Sequence, residues 1–537
     1  MKKTLGLAAM VAVALGLGCL GCGGAGAQPV QPRVPASTAG AADASAAQAD
    51  GRGASRESAV WALPAEPRDP KTPPAEAKDV RTDAWSKAVK AKGVPPAPAP
   101  ASCTAFAKPA AVKPKPSDLS AALVEKDAAK RNALLATIET EVVAPELAPV
   151  IRAMRAELAP IECADAITDP ALAAAKGTVA GTAGQMTIGL SLASKLSRTA
   201  ANAPSMKDAS DKEKVKRFIQ GPLREWMVEQ AAAIDALSAP ASELVGLARG
   251  VVAMEAGMAD LRLVDRIRSA PTPSTWDKEL KAVYEAALDE ALEPRKARGR
   301  DAALVGLADF AAAGIVQDAR VDRTRALLSK LYGGRRIDAL DALLLPNADA
   351  NASLHRETVL ALIPNEPAKR DALAQLGLKA PPSETSARER LEMGRRYWRR
   401  VDFVEAAHLA AKDKDSEDAR LVLAVALALA KGPNGPKDMM AAPSPAAIHL
   451  TDTGALDALA SEAPARIAGL AAYDAAHLRS LSPPDGDGAA PYLADVAARF
   501  RKAAGLLEDP AQKKRAEERA VEADAIAKAV GKPAGAS

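Results

Sequence analysis

From about Pro116 onward, apolar residues fall three and four positions apart, with polar residues filling the steps between them. Leu134, Leu135, Ile138 and Val142 keep this spacing, and Leu247, Val251, Met254, Met258 and Leu261 draw one apolar seam along a single long helix. The two methionines of that seam read as core filler. Ser117 is the expected N-cap of the first helix. Between Lys176 and Lys195 the chain carries no charge, yet its glycines and Thr178, Thr182, Gln185 and Thr187 make it too polar for a membrane span. That stretch predicts a closely packed internal helix, and the more apolar run Leu421 to Ala430 predicts a short buried one. Strand-like alternation persists nowhere, so the expected fold class is all-α. Turn signals at 202–211, 380–385 and 482–491 mark candidate boundaries.

Gly394, Tyr397, Phe403 and Ala406 have a spacing that resembles the first helix and turn of a tetratricopeptide repeat, and Ser416 to Lys431 supplies a fitting next helix. Leu307, Phe310, Val316 and Ala319 take the same steps, with Gly314 at the turn. The two matches lie 87 residues apart, which is not a multiple of a repeat of about 34, so the resemblance implies an irregular array. It implies stacked helical hairpins whose concave face binds peptides or proteins. On this reading residues 117–380 form a helical domain and 381–537 a tetratricopeptide-like one.

Residues 28–116 hold 15 of the 40 prolines and no sustained periodicity, which predicts a disordered Pro/Ala-rich linker, locally stiffened over Pro95 to Pro100. Trp61 and Trp85 are out of place there, and are candidate anchors for a partner or for the protein's own body. Ahead of the linker, Lys2, Lys3, the apolar run Leu5 to Leu17 and small residues up to Ala27 read as an export signal over residues 1–27. Leu15-Gly16-Leu17-Gly18-Cys19 resembles a bacterial lipoprotein box, which implies an acylated Cys19, with Cys22 as the alternative. Ala25-Gly26-Ala27 before Gln28 resembles an ordinary cleavage site, and keeps simple secretion open. The expected location is the cell envelope: the periplasm or an outer-membrane anchor, touching the membrane through an N-terminal lipid only.

Export changes the reading of the remaining cysteines, because an oxidising compartment lets Cys103 and Cys163 pair. Such a bridge closes a loop of about 60 residues, for about 3 to 4 kcal/mol in a chain-entropy model. Without residues 1–27 the net charge falls from +4 to +2, which gives no global pull on nucleic acid. Aromatics are only 3% of the chain, so stability must come from many thin alanine-lined helix contacts.

Candidate chemistry is sparse. The histidines His355, His408, His449 and His477 lack metal-ligand spacing, and Asp485, Asp487 and Gly488 read as a turn instead of a calcium loop. Gly189 to Ala193 has the outline of a nucleophile elbow but falls inside a helical run, and Gly432 to Lys437 lacks Walker spacing. No catalytic residue, metal or cofactor is expected. Arg395, Tyr397, Trp398 and Arg399 combine aromatics with arginines as interface hot spots do, and are the expected partner-binding surface. The function expected is a non-enzymatic envelope scaffold or adaptor for other envelope proteins. The alternatives are a peptidoglycan-active hydrolase and a secreted, unanchored helical binding protein.

Overall fold

The computed structural model describes residues 77–91, 98–112, 118–175, 177–206, 211–316, 318–331, 337–346, 358–378, 385–413, 415–432, 435, 438 and 452–531. The signal with Cys19 and Cys22, linker residues 28–76 with Trp61, and Ser117 lie outside the described residues.

Within the expected linker, residues 77–91 and 98–112 are ordered against the body. Val80–Arg81 (β1) pairs antiparallel with Thr178–Val179 (β2), and helix Asp83–Val89 (α1) buries Trp85 and Ala88. Farther on, Cys103 and Phe106 are buried, and Cys103 is bonded to Cys163 across 60 residues of sequence. Trp85, Phe106 and the disulfide bury enough area to hold a proline-rich arm in place. The pairing that orders β1 lies about 100 residues away, where no local pattern reveals it.

Helices Ala128–Thr137 (α2), Ala148–Leu158 (α3) and Ala164–Ala174 (α4) precede Gly181–Ser197 (α5). The internal helix expected from the uncharged stretch is α5, buried from Ala183 to Leu196. Among the described residues no helix is long and apolar enough to cross a membrane. Helix starts follow capping chemistry: Asp127 accepts from the Lys130 amide at 2.7 Å, and Asp118, in place of Ser117, accepts from the Ala121 amide at 3.0 Å.

Next come Arg224–Ser238 (α6), Gly246–Arg268 (α7), Lys278–Ala312 (α8) and Ala319–Leu331 (α9). α7 and α8 approach so closely that a Cβ on Gly257 would stand 2.6 Å from the Gly299 carbonyl oxygen, and one on Gly306 would stand 2.9 Å from that of Gly250. In each helix the two glycines are seven residues, or two turns, apart, so they share one face. α5 presses on another side of α7, where a Cβ on Gly189 would lie 2.6 Å from the Ala248 oxygen. The predicted seam is buried at Leu247, Val251, Met254 and Leu261, while Met258 is only partly covered.

The C-terminal part runs through Ala387–Tyr397 (α10), Arg400–Ala410 (α11), Glu417–Leu429 (α12), Gly454–Glu462 (α13), Ala465–Ser480 (α14), Ala489–Leu506 (α15) and Pro510–Val530 (α16), each packed on the next. Ser386 and Glu389 form a capping box at α10, and Ser416 and Asp509 cap α12 and α16. The spacing read from Gly394 and Phe403 is met in space, since a Cβ on Gly394 would fall 2.4 Å from the Phe403 ring. The buried stripe of α16 is only Ala516, Ala520, Ala523 and Ala527.

Two glycine substitutions separate close packing from helix propensity. Gly257→Ala should destabilise by about 2 kcal/mol, because backbone, not a movable side chain, occupies the new methyl's place. Gly505→Ala, in α15 with nothing within 4 Å of its Cβ position, should stabilise by about 0.5 to 1 kcal/mol. Thermal melts of the two variants against the parent check both signs.

Candidate functional site

The expected binding surface at Arg395 to Arg399 lies inside the protein, which corrects that reading. Tyr397 is 1% exposed and Trp398 0%, and Arg395 is also buried. Their polar atoms are committed to backbone carbonyls in the chain between α8 and Leu340. The Tyr397 hydroxyl donates to Ile315 O at 2.6 Å, Trp398 Nε1 to Ile337 O at 2.7 Å, and Arg395 Nε to Leu340 O at 3.0 Å. Arg399 donates to Ala311 O at 3.1 Å and pairs with Asp402 at 3.2 Å.

The Trp398 and Arg395 bonds end on an irregular strap, Ile337–Leu344, which is buried except at Asp338 and Asp341 and makes a single 3-10 turn at Ala339–Ala342. A buried segment without regular structure must find partners for its own N–H and C=O groups. Here side chains supply them. The Ile337 amide donates to Ser329 Oγ at 2.9 Å, and the Ile337 carbonyl accepts from Arg325 at 3.2 Å as well as from Trp398. Arg325 also grips Asp341 at 2.8 Å. From α14, His477 Nε2 meets Ala339 O at 2.9 Å, and Asp474 Oδ1 accepts from the Leu344 amide at 2.7 Å.

Helix geometry positions this clamp. Trp398 has φ of 52°, left-handed backbone that ends α10, and only Arg399 separates it from α11. A non-glycine residue pays about 1 kcal/mol for that conformation. Complete burial of the indole and its bond to Ile337 offset the strain. Asp474 and His477 are three apart on α14 and so share a face. The one carboxylate inside the apolar run Ile467 to Leu478 was the legible sign of Asp474, and His477 was noted only as a histidine without a metal partner.

Burial sets the titration of the clamp. It pushes the Asp474 carboxyl up to about 8, against the opposing pull of the Leu344 amide, Arg395 and Arg515, so the group is mostly protonated at neutral pH. It pushes His477 down to about 4, with the Ala339 carbonyl opposing and Arg519, Arg515 and Arg395 adding to the shift. His477 is therefore neutral, with Nε2–H as its donor. Tyr473 stacks on His477 at 6.2 Å and meets the edge of Phe500 at 5.4 Å.

A second polar centre joins α3 to α9. Buried Arg320 bonds both Glu157 and Asp318, and Thr358 Oγ1 donates to Asp318 at 2.8 Å. Desolvation moves Glu157 up to about 6, in spite of Arg320. A third holds the N-terminal arm: Trp85 Nε1 donates to Ser191 Oγ at 2.8 Å, and Ser191 Oγ donates to Asp169 at 2.6 Å. Lys195 Nζ bonds Asp169 at 2.6 Å and Asp165 at 3.3 Å. Trp85 is thus an anchor for the protein's own body. Ser191 sits mid-helix and fully buried, outside any strand-to-helix elbow. Among the described residues no group of three or more His, Cys, Asp or Glu side chains is arranged to hold a metal ion.

No family model, no curated protein and no solved structure matches this chain.

The pH dependence of the clamp has a definite sign. Asp474 keeps in the fold a proton that the unfolded chain releases above about 3.8, so its contribution to stability falls as pH rises to about 8. His477 excludes a proton that the unfolded chain takes up below about 6.5, so its contribution falls as pH drops from there to about 4. From pH 6.5 to 8 Asp474 carries the larger part of the clamp's change, since His477 contributes only at the lower edge of that window. Asp474→Asn, which keeps an acceptor for Leu344, should therefore gain on the parent by on the order of 2 kcal/mol over that window. Denaturant melts of both proteins at the two pH values test this, and parallel pH dependence would refute it.

Proposed function

We propose that this chain is an exported, lipid-anchored scaffold of the bacterial cell envelope, whose irregular tetratricopeptide-like helical body binds other envelope proteins without catalysing a reaction. The observation that carries the reading is the lipoprotein-type N-terminus, with its apolar run and Cys19. The disulfide between Cys103 and Cys163 supports an oxidising location, and the helical pair around Gly394 and Phe403 supports the repeat-like body. Partner contact is assigned to outer faces of the helices, since Tyr397 and Trp398 are enclosed.

Mass spectrometry of the mature N-terminus tests the anchor. A diacylglyceryl mass on a peptide starting at Cys19, or at Cys22, is the expected result. A free N-terminus at Gln28 would turn the reading to a secreted binding protein. Immunoprecipitation from envelope extracts should recover stoichiometric envelope proteins. Turnover of peptidoglycan by the purified chain, abolished by one Glu substitution, would replace the scaffold with a hydrolase.

A further inference from the structure

Of the five described aromatic side chains that are only partly buried, Phe218, Trp226, Trp276 and Tyr284 fall within one stretch of sequence. The fifth, Tyr492, is tied by its hydroxyl to Arg479 O at 3.1 Å. Helix register places the four at one end of the bundle. Asp235 of α6 pairs with Arg295 and Arg298 of α8, and these also grip Asp260 of α7. Five residues earlier on α6, Gln230 accepts from the Ala200 amide just beyond α5. The last turns of α5 are in turn bound by Arg262 of α7, which donates to Leu196 O at 2.8 Å. Moving back along α6 is therefore moving forward along α7, so α6 and α8 run parallel.

Trp226 to Val228 then come level with the end of α7 and the first half of α8, where Arg268 meets Asp289 at 2.9 Å. Trp276 packs edge-on against Tyr284 at 5.3 Å, and Val228 and Val283 are each 53% exposed. From Lys278 to Leu292, α8 buries only Leu288 and Leu292. The Trp276–Tyr284 pair, with Trp226 level with it and two exposed valines, has the composition of an interface core.

Charge identifies the occupant. Residues 211–224, on one side of the cluster, carry five basic and two acidic side chains. Residues 276–292, on the other, carry two basic and five acidic. An apolar centre flanked by opposite charges is complementary to itself under a two-fold rotation. We propose that this end of the bundle is a homodimer interface, with the basic segment of one copy against the acidic segment of the other and Trp226, Val228, Val283 and Tyr284 at its centre.

Sedimentation velocity of the full chain from about 1 to 100 µM should show a dimer whose dissociation constant rises with salt. Val228→Asp with Val283→Asp should weaken it at least tenfold while leaving the melting temperature in place, since both side chains are exposed. Lys216→Glu with Arg217→Glu, and Glu285→Lys with Glu290→Lys, should each dissociate the dimer, and mixing these two variants should restore it as a heterodimer. A parent chain that stays monomeric throughout, a dimer indifferent to the valine changes, or charge variants that fail to pair on mixing would overturn the proposal.

Discussion

A backbone carbonyl or amide sealed from water must be hydrogen-bonded, and the strap Ile337–Leu344 meets that demand with side chains borrowed from helices far along the chain. Arg325 reaches it from α9, Arg395 from α10, Trp398 from the turn after α10, and Asp474 and His477 from α14. Each bond has geometric requirements, so together they fix where α9, α10 and α14 stand relative to one another. The boundary read at 380–385 is crossed by these bonds, and the strap joins the segments on either side into one packed interior. An apolar strap would still have had to bury the same peptide groups. The polar side chains around it are the direct consequence of irregular backbone at depth.

The helices were legible because their signals are local. Spacing of apolar residues found α7, the uncharged stretch found α5 and the apolar run Leu421 to Ala430 found α12, and the sequence Ser416 followed by acidic residues marks a helix start that the structure uses. Gly394 and Phe403, nine residues apart, were also within reach of pattern, since a turn between two helices returns the chain on itself. The cluster at Arg395 to Arg399 was misread for a physical reason. Arginine beside tryptophan and tyrosine suits a surface that grips a partner, and equally suits an interior that grips distant carbonyls. What decides between them is the location of the acceptor, and here the acceptors lie 55 to 88 residues back along the chain. Trp85 was ambiguous in the same way, with its partner Ser191 lying 106 residues ahead.

A chain poor in aromatic residues must set helix register by other means. Alanine stripes such as Ala516, Ala520, Ala523 and Ala527 of α16 permit close contact but would tolerate sliding by a turn. Two features of the centre resist it. The paired glycines of α7 and α8 interlock backbone with backbone, and the carboxylate of Asp260, 0% exposed, is shared by Arg295 and Arg298. Leaving such a charge buried without its partner costs about 3 to 5 kcal/mol, so a slipped register is penalised far more than by lost alanine contact. These pairs contribute specificity of arrangement more than net stability, because desolvating them offsets much of their attraction.

The N-terminal arm from residue 77 extends this logic. Asp79 accepts from the Gly181 amide at 3.2 Å, placing a carboxylate at the positive end of α5, whose own N-cap, Ala180, has no side-chain acceptor. Gln185 donates to Lys78 O at 2.7 Å and accepts from the Val245 amide at 2.9 Å, so one buried amide side chain ties the arm to the entry of α7. β1, Trp85 and the disulfide then follow in sequence order. Tension applied upstream of residue 77 would meet the Asp79 cap and the β1–β2 pair first and the covalent Cys103–Cys163 link last. Non-covalent docking alone would let the arm peel away one contact at a time. With the disulfide behind it, peeling stops at Cys103, and the helices α2 to α5 remain closed around their core.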